Sequence, residues 1–257
     1  MTTTSGVRAG LPVPLPDVLP DPWVVVRGTA WPSLDTAFGS GRRLPRALVR
    51  LLDPDLTAGE ARQALNDLDE PVRHQNTIYE ATAPVALCVA AVLGRRAGQH
   101  RGAADGACVL LLAWLAGVAH DSGDKCVAVG QRYFGEDFLE GYPALVAVRA
   151  LRPVLFQAVE PFLDDPDRDV RETALSAALV FAEHPALAGH RDGLAERARR
   201  LLGVCDTRWR RWQALDALTA WGHDTEGLAR RGDDDRSPYV SGSGWSVGDG
   251  HPDDPPF

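Results

Sequence analysis

Apolar positions recur at spacings of three and four through much of the chain, and the period is clearest between residues 163 and 202. There Val170, Ala174, Leu175, Ala178, Leu179 and Ala182 share one helical face, the pattern of a helix packed on a core. Asp165, Pro166 and Asp167 precede it as a turn that caps and starts a helix, with acid at the positive helix end and proline near the first position. His184 and Pro185 end it. After a turn closed by Gly189, a second helix places Leu194, Ala198, Leu201 and Leu202 on one face, and Gly203 is its expected stop. Two helices of this size leave apolar surface uncovered, so they need stacked neighbours.

The unit recurs. The run Arg171-Glu172-Thr173-Ala174-Leu175-Ser176-Ala177 is echoed by Arg211-Trp212-Gln213-Ala214-Leu215-Asp216-Ala217, forty positions on. Upstream, Asp53-Pro54-Asp55 followed by Ala61-Arg62-Gln63-Ala64-Leu65 repeats the turn and the start of the helix less closely. The period and the Asp-Pro-Asp turn resemble the HEAT repeat family, over residues 44–230. The resemblance implies an all-α, right-handed superhelical solenoid of about four HEAT-like helix pairs. It is specific for architecture and carries no reaction.

Outside the clean repeat the pattern predicts three regions. Residues 1–43 read as a proline-rich arm and cap: Pro12, Pro14, Pro16, Pro20 and Pro22 favour extended backbone, and Trp23 to Val26 is expected to lie extended across the first helices. Trp31, Leu34 and Phe38 give this arm apolar surface to dock with. Residues 44–230 are the helical body, with helices at 44–52, 57–68, 85–93, 107–119, 145–163 and 208–222. Within the body, 94–104 reads as a loop and 125–141 as the least regular segment, with Tyr133, Phe134 and Phe138 packing locally. Pro153 is expected to kink its helix. Residues 231–257 have too little apolar content to fold alone and read as a disordered acidic tail.

The 257 residues carry a formal charge of -8, which argues against a general nucleic-acid binder but leaves room for a local basic patch. Cys88, Cys108, Cys126 and Cys205 form no C-x-x-C pair and look like buried small hydrophobes in a reducing compartment. The first residues lack a basic segment leading into an apolar core, so no signal peptide is expected. The run 107–119 is shorter than the roughly 18 to 20 residues that cross a bilayer. A cytoplasmic bacterial protein without a membrane partner is the expectation.

One stretch stands apart in composition. His74-Gln75-Asn76-Thr77-Ile78-Tyr79-Glu80 leads through Ala81-Thr82-Ala83-Pro84 into an apolar helix. Thr77 and Glu80 have capping-box spacing, and Pro84 is expected to kink or restart the helix. The stretch is similar to a His-Gln-Gly-Thr-x-Tyr signature of uncharacterised bacterial HEAT-like proteins, with Asn76 in place of glycine. Asparagine tolerates the left-handed conformation better than most residues, so the turn can survive the exchange.

His74, Gln75, Tyr79 and Glu80 are therefore the candidate protein-binding residues, set against a purely structural role in capping and turning. His120, Asp121, Asp124 and Cys126 carry metal-capable atoms, but their spacing matches no zinc or calcium loop, and a helix-ending turn is the reading. No metal or cofactor is expected, and common enzyme motifs are absent. A rival signal is the basic and aromatic run Arg199, Arg200, Arg208, Arg210, Arg211 and Trp212, which by analogy with HEAT-like DNA glycosylases could grip phosphates and stack on bases. The expected function is a protein-binding module, acting as adaptor, regulator or toxin-neutralising partner. An acidic chain of this kind suits a basic protein partner. A nucleic-acid-binding or glycosylase-like role is the alternative, and an enzyme with a site between repeats the remaining one.

Overall fold

The structure, a computed structural model, describes residues 16–97, 106–230 and Asp233. The prolines before Pro16, most of the expected loop at 94–104 and all of the acidic tail except Asp233 lie outside the described residues. About 72% of the described residues are helical and strand is scarce among them, so the protein is all-α. It divides into two compact units, Met1–Ala188 and Gly189–Phe257. That division falls inside the stretch whose repeat pattern is clearest.

The first unit contains α1 (Pro22–Gly28), a small antiparallel ribbon of β1 (Asp35–Thr36) and β2 (Gly39–Ser40), α2 (Leu44–Leu51), α3 (Ala58–Arg73), α4 (Thr82–Ala97), α5 (Gly106–Asp121), α6 (Asp124–Phe134), α7 (Pro143–Ala150), α8 (Arg152–Val159) and α9 (Arg168–Phe181). The helices pair as α2 with α3, α4 with α5, and α8 with α9. One row is formed by α2, α4 and α8, and a second by α3, α5 and α9. The helices α6 and α7 interrupt the pairing, with α7 packed on α4 and α8. α5 explains why the rows close up. Apolar nearly all round, it packs on α3, α4 and α9, and Cys108, Leu111, Leu112 and Leu115 are fully enclosed.

The two Asp-Pro-Asp turns share one local device. In each, the first aspartate accepts the amide of the third residue, at 2.9 Å for Asp53 and Asp55 and 2.8 Å for Asp165 and Asp167. Asp167 then caps α9 by accepting from the Asp169 and Val170 amides. At the earlier turn the cap passes to Thr57, which forms a reciprocal capping box with Glu60 at the start of α3.

Several expectations are corrected. Trp23 to Val26 is not extended: Asp21 caps the Trp23 amide at 2.8 Å, Pro22 begins the helix, and burial of Val25 and Val26 against the core overrides the β-preference of a valine run. Residues 125–141 are not irregular throughout, since α6 occupies the first part until Gly135, at φ 102°, ends it. α3 runs past Leu68 to Arg73 with Pro71 in its last turn. Pro84 sits in the first turn of α4 and Pro153 in the first turn of α8, where a missing amide costs nothing, so neither kinks a helix. Gly203 does not stop α10 (Arg191–Val204); the extended backbone of Cys205 does.

Residues 106–134 together are long and apolar enough, by length and composition, to cross a membrane, which the shorter run seen in sequence did not suggest. About 61% of the most apolar window is buried inside the protein. In the second unit α10 packs on α11 (Arg208–Ala220).

The turn after α3 places Gln75 at φ 51° and Asn76 at φ 62°. Asn76 thus adopts the left-handed conformation that asparagine tolerates better than most residues. Replacing Asn76 with glycine should leave the denaturation midpoint unchanged, whereas valine should lower stability by about 1–2 kcal/mol.

Candidate functional site

The distinctive stretch 74–80 is built into the first unit through its backbone. His74 Nδ1 lies 2.9 Å from Glu70 Oε2, and its ring meets Phe38 edge-on at 5.5 Å. Gln75 is exposed. Tyr79 is half-buried, and its amide donates to Thr82 Oγ1 at 2.9 Å. Glu80 Oε2 accepts the Asp35 amide at 3.1 Å, tying the turn to the β-ribbon. The capping box expected of Thr77 and Glu80 does not form. Thr82, fully buried, takes that place because its hydroxyl can also donate to Val72 O at 2.5 Å, joining the end of α3 to the start of α4.

The same turn is clasped from below by a residue that sequence reasoning missed. Tyr142 Oη accepts the Ile78 amide at 2.8 Å and donates to the Ile78 carbonyl at 2.6 Å. Its burial pushes the phenol up to about 12, so it keeps the proton it donates. Tyr142 closes a projection that begins at the end of α6. Tyr133 and Phe134 are 46% and 54% exposed, Phe138 stacks on Phe134 at 5.7 Å and meets Tyr142 edge-on. Glu136, Asp137 and Glu140 are exposed among them. The Phe138 ring rests on Gly130, where a Cβ would collide with it. The projection is thereby pinned at both ends, to α6 and to the 74–80 turn.

Behind it lies a dense charged junction between α5 and α6, which the sequence marked only as a helix-ending turn. Asp121, almost fully buried, receives Arg73 at 2.8 Å, and Arg73 also holds Asp69 at 2.7 Å. Gly117 leaves room for that guanidinium. The Ser122 carbonyl accepts from Arg149 at 2.8 Å and from Arg152. Arg149 also reaches Asp124 at 2.6 Å, and Arg152 reaches Glu183 at 3.1 Å. Glu183 Oε2 in turn accepts the Asp124 amide at 2.8 Å.

Burial sets the proton affinities here, and the arginines oppose it. Desolvation pushes Glu183 up to about 7 against the pull of Arg152. It also raises Asp121 in spite of Arg73. For Asp124 burial is outweighed by the hydrogen bond and charge of Arg149 together with Arg152, and its carboxyl lies below the ordinary range. His120 is driven down to about 4 by burial and by the positive charges of Arg73 and Lys125. Of the metal-capable run at 120–126, Asp121 and Asp124 are thus engaged in ion pairs with arginines. Among the described residues no group of three or more His, Cys, Asp or Glu is placed to hold a metal. Burial likewise raises the thiols of Cys88 and Cys126, to about 12 and about 11, and the four cysteines are buried and not joined by disulfides.

The arginine and tryptophan run lies in the second unit and is divided by function. Arg199, Arg200 and Arg208 are exposed, Arg210 and Trp212 half-buried, and Trp209 stacks on Trp212 at 5.0 Å. Arg211 is corrected: it is buried, pairs with Asp233 at 2.7 Å and donates to the carbonyls of Leu202 and Leu228. Its side chain turns into the interior of the second unit, which is why it cannot serve a surface role.

No family model, no curated protein and no solved structure matches this chain.

Two outcomes follow from the charged junction. Arg152→Ala strands Glu183 in a buried site and should cost about 3–5 kcal/mol in denaturant unfolding, less at pH 5 than at pH 8, because Glu183 can then take up a proton. The pH dependence of stability should show two opposed contributions. His120, neutral when folded, gives stability above pH 6.5 that is lost as pH falls toward about 4. Glu183, with its raised proton affinity, gives stability below pH 4.5 that is lost as pH rises through about 7. Unfolding midpoints across pH 4 to 8 should lose the first slope in His120→Phe and the second in Glu183→Gln.

Proposed function

We propose that this chain is a protein-binding scaffold of the HEAT type, and that its partner seats on the projection at residues 131–142. The observation that carries the reading is the exposure of Tyr133 and Phe134 beside Glu136, Asp137 and Glu140 on a segment pinned at both ends. Exposed aromatic side chains held in a fixed place are the anchors that dominate association energy, since their ordering cost is already met. The surrounding carboxylates suit a basic partner with an apolar contact surface, and complementary charge speeds the encounter.

The architectural half of the reading is a right-handed solenoid of helix pairs. It draws support from the two rows, α2 to α4 to α8 and α3 to α5 to α9, and from the shared geometry of the two Asp-Pro-Asp turns. Stacked pairs of this kind offer extended surface for a macromolecule. In the proposal, Gln75 and Tyr79 extend the contact surface next to the projection, with His74 and Glu80 fixing the turn from which they extend. The role is that of adaptor, regulator or toxin-neutralising partner in a reducing cytoplasm, a setting that suits four buried thiols not joined by disulfides.

The test is a capture experiment on the full chain with Tyr133→Ser and Phe134→Ser combined, compared with the native protein after nuclease treatment. A basic protein partner should bind the native chain and lose about 30-fold or more in affinity to the double variant, as expected for removal of anchors worth about 2 kcal/mol. Undiminished binding by the double variant sinks the proposal. Recovery of nucleic acid alone when nuclease is omitted, sensitive to Arg199→Gln and Arg200→Gln, would instead favour the alternative in which the exposed arginines and the Trp209–Trp212 stack contact nucleic acid.

A further inference from the structure

The opposite sign of charge gathers elsewhere in the first unit. A groove of about 1010 Å³ runs between the β-ribbon, the start of α2 and α3, and Arg42, Arg43, Arg46 and Arg50 line it with a single carboxylate, Asp67. Arg50 pairs with Asp67. Arg42, Arg43 and Arg46 are exposed, and among the described residues no carboxylate pairs with them. In a chain of formal charge -8, three adjacent guanidiniums without acids are an uncompensated local field.

Their placement sharpens the point. Arg43 precedes the first residue of α2, Arg46 lies in its first turn, and that turn holds no acid. Cations at a helix N-terminus oppose the helix dipole and are unfavourable there. Side chains at 43, 46 and 50 follow spacings of three and four, so they rise along one helix face over about 10 Å. The arrangement weakens the free protein and becomes favourable when an anion with several charges lies along it. Guanidinium forks match phosphate oxygens in two-point hydrogen bonds, which a diffuse acidic surface does not use as fully.

One end of the groove is aromatic. Phe38 is 67% exposed and stands edge-on to His74. Its position is fixed by the two-residue turn between β1 and β2, where the Phe38 amide donates to Thr36 Oγ1 and Gly39 takes φ 95°. The backbone between the lining residues Ser40 and Arg42 is closely backed, since a Cβ at Gly41 would stand only 2.9 Å from Trp31 O. A flat ring beside a line of guanidiniums is a platform for a base next to a phosphate clamp, and the volume suits a ligand of nucleotide size.

We propose that this groove binds nucleotide phosphates, with Arg43 and Arg46 holding the phosphate chain, Arg50 continuing the line of charge while paired with Asp67, and Phe38 stacking on the base. Free nucleoside polyphosphate and the phosphates of a single strand share this chemistry. The site lies apart in sequence from the projection at 131–142 and does not depend on the protein-binding reading.

The test uses the full chain and fluorescence anisotropy with two labelled probes, a nucleoside triphosphate and a short single-stranded oligonucleotide, with unlabelled tripolyphosphate and a poly-glutamate peptide as competitors. The variants are Arg43→Gln with Arg46→Gln, Phe38→Ala, and as a control Arg62→Gln, which is exposed outside the groove lining. Unchanged helical circular dichroism is expected for all of them, with melting of the groove pair unchanged or slightly raised, since cations at the start of α2 oppose its dipole. At least tenfold weaker binding is expected for the groove arginine pair and no change for the control. Phe38→Ala should weaken the nucleotide but not tripolyphosphate. Tight binding of the triphosphate identifies the free nucleotide as the source. Binding of the strand alone identifies nucleic acid, and the groove pair should then reduce its log–log salt slope by about 1.4. Absence of binding by both probes at low salt, binding that survives loss of Arg43 and Arg46, or poly-glutamate competing as well as tripolyphosphate with Phe38→Ala without effect would each overturn the proposal.

Discussion

A helix that is apolar on every side has to be enclosed, and α5 imposes that requirement on its surroundings. α3, α4 and α9 cover it, and the pairing of α4 with α5 and α8 with α9 follows from covering it on more than one side. Enclosure creates a second demand at its C-terminal end, where the last carbonyls and Asp121 are drawn away from water. Arg73 answers for Asp121, and Arg149 and Arg152 answer for the Ser122 carbonyl. The charged junction is thus a consequence of the apolar helix rather than a separate invention.

That junction also orders the surface. Arg149 on α7 and Arg152 on α8 reach back to the α5–α6 turn, which ties the start of α6 to the end of α7. At the opposite ends of those two helices, Phe138 over Gly130 and Tyr142 on Ile78 determine where the remaining residues of the projection stand. Acidic and aromatic side chains are displayed on this side, while the arginine groove sits where α2 and the β-ribbon meet. A single unit therefore presents two surfaces of opposite charge.

How much of this was legible in the sequence depends on whether the cause was local. The period of three and four, the Asp-Pro-Asp turns and the left-handed Asn76 act over a few residues, and each is found where the pattern placed it. The helix at Pro22–Gly28 was not legible, because burial of Val25 and Val26 against distant residues overrides a valine run. The capping box expected of Thr77 and Glu80 did not form because Glu80 and Thr82 find partners, Asp35 and Val72, on other elements. The exposed aromatics at 133–138 were read as local packing, and only the fold reveals which rings remain uncovered. Arg43, Arg46 and Arg50 did carry a signal, their helical spacing in R-x-x-R-x-x-x-R, but it was diluted among 27 basic residues.

The buried cysteines have a use that their burial creates. Cys88, Cys108 and Cys126 lie on α4, α5 and α6, and Cys205 directly after α10. Each sulfur is inert while its helix stays docked and reacts once that helix swings away, so the rate at which each is alkylated measures a different opening event. The chain carries four clocks of its own, three on helices and one just past the end of α10, and a bound ligand would be timed by the ones it slows.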